Sequence, residues 1–71
     1  MQLQTSLQFV RLGQVSYDPA RGRFAARVDL SRDGRTYRYP AEVSAPPAAD
    51  AVWLSQALVQ QAIAMSDTRP H

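Results

Sequence analysis

The chain has no cysteine and no lysine, and it contains only one glutamate and one histidine. Without cysteine there can be no disulfide, no thiolate zinc site and no thiol nucleophile, and a reducing, cytoplasmic location is mildly favoured. Glu42 and His71 stand alone, and turn or cap roles account for Asp18, Asp33 and Asp50, so the sequence does not indicate the convergent acid, base and nucleophile of an active site. We therefore expect a protein that is not an enzyme and that holds neither a metal nor a cofactor.

A long apolar run is also missing. The longest uncharged apolar stretch, residues 51–65, is interrupted by serine and glutamine and is shorter than the roughly 20 apolar residues that cross a bilayer. Residues 1–10 lack the basic start and apolar stretch of a secretory signal. The sequence therefore predicts a soluble, cytoplasmic protein without a membrane-spanning segment.

The length of 71 residues allows one domain and no second lobe. A chain this short buries only about 60% of the surface that its unfolded form exposes. Packing within the domain, or contact with a partner, must therefore supply its stability.

All eight cationic residues are arginine, which favours the coding bias of a GC-rich bacterial genome over a chemical need for guanidinium groups. The charges are nevertheless segregated along the chain. Residues 11–38 contain seven arginines and three aspartates, whereas residues 39–71 contain one arginine and three acidic residues. This distribution predicts a basic sheet and a mildly acidic remainder.

Asp33-Gly34 between two alternating runs predicts a hairpin with a two-residue type I′ turn. Counting outward from the turn pairs Leu30 with Tyr37 and places the apolar residues of both strands on one face. The same register sets Asp29 opposite Arg38 on a polar face. Because Pro40 cannot donate a hydrogen bond to a neighbouring strand, the third strand is expected at the edge and the second at the centre.

An earlier turn at residues 18–22 predicts a four-residue loop that pairs Tyr17 with Phe24. Unbroken pairing upstream of this loop would place charged Arg11 in the core, so a bulge is predicted near Gly13. It would set Leu12 opposite Val28 and Val10 opposite Leu30. Leu7 and Phe9 would then lie on the opposite side of the sheet, and residues 2–9, beyond the end of the second strand, would form an unprotected, unpaired edge.

The residues after Pro46-Pro47 predict a helix that begins near residue 48, with Asp50 at its N-terminus. One stripe is expected to pack on the sheet: Ala51, Leu54, Leu58, Ala62 and Met65. A second apolar row, Val52, Val59 and Ile63, and a tryptophan, Trp53, lie outside this stripe. Since no charge occurs from residue 51 to 66, the helix is expected to be buried on more than one side.

Together these features predict an α+β fold, in which a three-stranded antiparallel β-meander packs against one C-terminal helix in the order βββα. The single domain is expected to span residues 1–66, and residues 67–71 are expected to be a polar tail. The strands are predicted at about residues 3–17, 23–31 and 35–43, and the helix at about residues 48–66.

The leading functional hypothesis is a non-enzymatic protein–protein interaction domain that forms a homodimer through the outer helix face or the edge of the first strand. The candidate interface residues are Leu7, Phe9, Val52, Trp53, Val59 and Ile63. An alternative is a nucleic-acid-binding or regulatory module that uses an arginine-rich sheet face. Its candidate contacts are Arg11, Arg23, Arg27 and Arg38. A second alternative is an inhibitor or antitoxin-like partner of another protein; no small-molecule ligand is expected.

Overall fold

A computed structural model describes residues 7–68 as one antiparallel sheet of four strands followed by one helix. The elements are β1 (Leu7–Leu12), β2 (Ser16–Asp18), β3 (Arg23–Arg32), β4 (Arg35–Ser44) and α1 (Ala51–Thr68). The predicted α+β class, with an antiparallel sheet and a C-terminal helix, is confirmed. The sheet has four strands rather than the predicted three, because the predicted first strand is divided into β1 and β2.

The central strand of the sheet is β3. Both β1 and β2 pair with one side of β3, and β4 pairs with its other side. Within residues 7–68, β4 has no second strand beside it, which agrees with the edge position predicted from Pro40.

The β3–β4 hairpin follows the predicted register along its whole length. Asp33 and Gly34 both have positive φ, 54° and 82°, as a type I′ turn requires. Leu30 lies opposite Tyr37, and Asp29 lies opposite Arg38. Two residues at the turn therefore determine which side chains of both long strands face the helix.

The loop between β2 and β3 is also as predicted. The Asp18 carboxylate accepts a hydrogen bond from the backbone N–H of Ala20 at 3.0 Å, and its carbonyl accepts one from Gly22 at 2.8 Å. Gly22 has a φ of 63°, the left-handed conformation that glycine adopts at little cost. Tyr17 lies opposite Phe24, and their ring centroids are 4.7 Å apart.

The first strand departs from regular pairing at two places. The first is a bulge at Val10, because Phe9 lies opposite Leu30 and Arg11 lies opposite Asp29. The second is the connection around Gly13, where the chain gains one more residue relative to β3 before β2 begins. The predicted irregularity near Gly13 is therefore present, whereas the bulge at Val10 was not predicted.

The bulge at Val10 changes which side chains face the helix. Leu12 lies opposite Val28, as predicted, but Phe9 takes the position opposite Leu30 that was predicted for Val10. Leu7 lies opposite Arg32 and packs against the core. The prediction that Leu7 and Phe9 lie on the far side of the sheet without a strand partner is thus wrong. The rest of the predicted overhang, residues 2–6, lies outside the described residues.

The core lies between α1 and one face of β3 and β4. Helix residues Leu54, Leu58 and Ala62 are buried there, in agreement with the predicted stripe. The ends of the stripe differ: Ala51 is exposed as the first residue of the helix, and Met65 is only half-buried. The buried core consists of Ala26, Val28, Leu30, Tyr39, Ala41, Leu54, Leu58 and Ala62.

Both ends of α1 are held by polar contacts. The Asp50 carboxylate accepts a hydrogen bond from the backbone N–H of Trp53 at 2.9 Å and so caps the N-terminus. At the other end, Arg32 donates to the Ser66 hydroxyl at 2.8 Å and forms an ion pair with Asp67 at 3.3 Å. The helix begins at Ala51 rather than near residue 48, and residues 67 and 68 belong to it rather than to a tail.

The close approach at Gly13 gives a test of this strand geometry. The Gly13 N–H donates to the Arg27 carbonyl at 2.8 Å, and a Cβ at this position would lie 3.0 Å from the same oxygen. We expect Gly13→Ala to lower the free energy of unfolding by about 1–3 kcal/mol in chemical denaturation, because the backbones must move apart.

The control is Gly22→Asn, because asparagine tolerates a left-handed backbone and a Cβ at Gly22 meets no atom within 4 Å. Its free energy of unfolding should change by no more than about 0.5 kcal/mol. If Gly13→Ala instead stabilises the fold by about 0.4–1 kcal/mol, as a glycine without steric conflict would, the close approach is refuted.

Candidate functional site

The helix lies off centre on the sheet. It packs mainly on β4, less on β3 and least on β1. At the β4 side, the Gln61 side-chain carbonyl accepts a hydrogen bond from the backbone N–H of Glu42. The helix thus covers one edge of the sheet and leaves the other open.

The covered edge, β4, is protected against further strand pairing. Alternate residues of an antiparallel strand direct their backbone groups to the same side, so Pro40 and Glu42 both face away from β3. Pro40 has no N–H, and the N–H of Glu42 is bonded to Gln61. Two successive outward positions therefore offer no donor to another chain.

The opposite edge, β1, lacks these protections. Because Gly13 donates to Arg27 of β3, alternation through the bulge directs the backbone groups of Arg11 and Gln8 inward. The backbone groups of Leu7, Phe9 and Leu12 then face outward, and β1 contains no proline and only one charged residue. Such an edge is able to accept another strand.

An apolar groove lies beside this open edge, between β1 and α1. Its volume is about 370 Å³, and it is lined by Phe9, Leu12, Ser55, Gln56, Val59 and Gln60. We call it the β1 groove. The Phe9 side chain on its rim is 54% exposed, and Val52, one turn before Gln56, is 65% exposed. Large apolar side chains this exposed at one place are typical of a protein contact surface.

The structure brings some of the predicted interface residues together and separates others. Phe9 and Val59 line the β1 groove, whereas Leu7 and Ile63 are half-buried against the core. Val52 lies on the same flank of the helix as Val59, seven residues or two turns away. Trp53 is 50% exposed but is not among the residues that line the β1 groove.

Four residues of the β1 groove were absent from the predicted interface: Leu12, Ser55, Gln56 and Gln60. Leu12 was assigned to the core, and Phe9 to the opposite face, because the bulge was placed only at Gly13. Had a second bulge been placed at Val10, Phe9 and Leu12 would have been predicted on one face. The two glutamines are polar, so the apolar pattern of the sequence does not mark them as interface residues. Only the position of the helix on the sheet shows that they line the groove.

On the outer face of the sheet, away from α1, the predicted nucleic-acid contacts form two groups. Arg11 and Arg38 flank Asp29 in one cross-strand row, and Arg27 lies in the next row. A concavity of about 310 Å³ is lined by Arg11, Gly13, Gln14, Arg27, Asp29 and Arg38. We call it the arginine groove. Arg23 lies outside it.

The ion pairs leave some of these arginines without an acidic partner. Arg38 donates to the Asp29 carboxylate at 3.0 Å, and this hydrogen bond together with the negative charge raises the pKa of Arg38 above its ordinary value. Arg23 contacts Glu42 at 3.0 Å. Within residues 7–68, no acidic group forms an ion pair with Arg11 or Arg27.

The described part of the chain contains no cluster of three or more histidine, cysteine, aspartate or glutamate side chains that could hold a metal ion. Over the same residues, no helix is long and apolar enough to cross a membrane. Comparison of the chain with protein-family models, with curated proteins and with solved structures finds no match. The function is therefore argued from the geometry of the two grooves and the β1 edge.

The protection of the β4 edge by α1 is testable. Gln61→Ala removes the acceptor for the Glu42 N–H, so the free energy of unfolding should fall by about 0.5–1 kcal/mol in urea denaturation. Gln60→Ala makes the same chemical change at a neighbouring exposed position, and the Gln60 side chain forms no hydrogen bond with another described residue. It should have no such cost, and equal effects of the two variants would contradict the assigned contact.

Proposed function

We propose that this chain is a non-enzymatic protein–protein interaction domain that forms a homodimer through β1. The observation that carries the proposal is the coincidence of two features on one strand. The outward backbone groups of Leu7, Phe9 and Leu12 have no partner strand among the described residues, and the side chains of Phe9 and Leu12 line the β1 groove. A second copy that pairs with β1 would satisfy the first feature and cover the second.

An antiparallel strand can pair with its own copy about a two-fold axis, which makes the contact closed and self-complementary. With the axis perpendicular to the sheet, the two sheets become continuous and both helices lie on the same face. The two β1 grooves then open toward each other across the axis, with Phe9 of both protomers between them.

The charge on β1 is compatible with this arrangement. If the axis passes Phe9, Arg11 lies after the axis, beyond the bulge at Val10, and faces the part of the other protomer that precedes Phe9. The only charged residue of the strand therefore does not meet its own copy, and no like charges are placed directly opposite each other.

The energy of the contact requires the helix as well as the strand. Burying the exposed half of Phe9 contributes about 1 kcal/mol for each protomer, and each new backbone hydrogen bond about 0.5–1.5 kcal/mol. A micromolar dissociation constant corresponds to about 8 kcal/mol after the entropic cost of association is included. The flank of α1 that carries Val52 and Val59 must therefore be buried too.

A comparison of Phe9→Lys with Tyr37→Lys tests the proposal. Both residues lie opposite Leu30, on its two sides, and their side chains are 54% and 39% exposed. Light scattering coupled to gel filtration should give the wild type twice the chain mass of 7.9 kDa. Phe9→Lys should give the single-chain mass, because edge lysines oppose strand pairing.

Tyr37→Lys adds the same charge at the β4 edge and should remain a dimer. A wild type that stays monomeric at concentrations well above micromolar would contradict the proposal. So would a dimer that survives Phe9→Lys but is lost in Tyr37→Lys, because the contact would then involve the opposite edge.

A further inference from the structure

The outer face of the sheet carries more positive charge than its own acidic residues neutralise. Three acidic residues lie on this face: Asp29 and Glu42 already contact arginine, and the Asp18 carboxylate accepts a hydrogen bond from the Ala20 N–H in the loop between β2 and β3. Arg38 forms an ion pair with Asp29. Arg21 and Arg23 both contact the same carboxylate oxygen of Glu42, at 3.7 and 3.0 Å. The remaining arginines of this face, Arg11 and Arg27, are the ones that an external anion could neutralise.

The arginine groove continues into a second concavity. The second one has a volume of about 300 Å³, and the two share Gln14 and Arg27. Small or compact residues keep the surface low there: Gly13, Ala25 and Pro40 are among the lining residues. The result is one elongated depression across β1, β3 and β4, with Arg27 where its two parts meet.

We propose that this elongated depression binds the phosphate backbone of duplex nucleic acid, with Arg11 and Arg27 as the principal phosphate contacts. A guanidinium group presents paired N–H donors that match phosphate oxygens, and it keeps its charge at every physiological pH. The depression suits a row of phosphates rather than one small anion, because it extends through two concavities on either side of Arg27.

The distribution of aromatic residues favours duplex over single-stranded nucleic acid. Proteins that bind single strands stack the bases on exposed aromatic side chains. In the described residues, the sheet aromatics all belong to the face that packs toward the helix, as their pairing with core residues shows: Phe9 and Tyr37 flank Leu30, and Tyr39 lies opposite Val28. Phe24 lies opposite Val43 on the same face and is paired with Tyr17. Contacts on the outer face are thus directed to phosphates and carry no base sequence information.

This site does not depend on the dimer, since every lining residue belongs to one chain. Monomeric and dimeric protein should both bind. The mass of each variant, measured as above, therefore keeps a failure of this proposal distinct from a failure of self-association.

The test is fluorescence anisotropy of a labelled duplex of about 20 base pairs over a series of salt concentrations. The variants are Arg11→Gln, Arg27→Gln and Arg35→Gln. Arg35 is the matched control, because it is exposed, lies opposite Arg32 beside the hairpin turn and has no ion pair within the described residues. All three substitutions remove one positive charge.

Binding by the wild type should weaken steeply with salt, and Arg11→Gln and Arg27→Gln should each reduce the slope of log affinity against log salt by about 1. Arg35→Gln should leave the slope unchanged. Circular dichroism confirms that each variant is folded, and Arg27→Lys should keep most of the binding because it keeps the charge.

Several results would overturn the proposal. These are no duplex binding at low salt, equal loss in the Arg35→Gln control, or tighter binding of a single strand of the same length. Stronger Arg27-dependent binding to vesicles of anionic lipid than to the duplex would overturn it too, because it would assign the surface to a membrane.

Discussion

A single helix of about 10–12 Å diameter is narrower than three strands, which occupy about 14 Å at a spacing of about 4.8 Å each. In this chain α1 lies over β4 and β3, where Leu54, Leu58 and Ala62 meet the buried residues of the sheet. This placement lets Gln61 reach the backbone of Glu42, and it also leaves β1 at the uncovered side. The protection of one edge and the openness of the other are thus two consequences of the same packing.

The bulge at Val10 determines what the open side presents. In regular pairing, successive side chains of β1 would alternate between the two faces of the sheet. Leu12 would then face the helix, and Phe9, three residues earlier, would face away from it. The extra residue reverses that alternation, so that Leu7, Phe9 and Leu12 share the face toward α1. A strand of mixed composition therefore presents an apolar side chain and an unpaired backbone at the same place. The outer face of the same strand presents Arg11.

The parts of the fold that local chemistry specifies could be predicted from the sequence. Asp33-Gly34 requires positive φ at both residues, and this alone sets the register of twenty residues in β3 and β4. Asp18 and Gly22 specify the other turn in the same way. The bulge at Val10 could not be predicted, because a bulge without glycine leaves no signal in the composition. The register around it depends on packing against β3 and α1.

The residues of the candidate sites likewise fall into those that the sequence predicts and those that only the structure reveals. Phe9 and Val59 were recognised as unsatisfied apolar residues, and Arg11, Arg27 and Arg38 as one basic group, since both follow from composition and register. The ion pair between Arg23 and Glu42, and the absence of Trp53 from the lining of the β1 groove, follow only from three-dimensional positions. The lateral position of a helix on a sheet is set by many small contacts, and no single residue encodes it.

The central claim is that the outward backbone groups of β1 become paired in a second copy of the chain. Amide hydrogen exchange, resolved by residue and measured in dilute and in concentrated protein, tests it most directly. The inward amides of Gln8 and Arg11 should be protected in both samples, because they face β3. The outward amides of Phe9 and Leu12 should exchange fast when dilute and become protected when concentrated. Fast exchange of Phe9 and Leu12 at every concentration, in a sample that still contains dimer, would contradict the account.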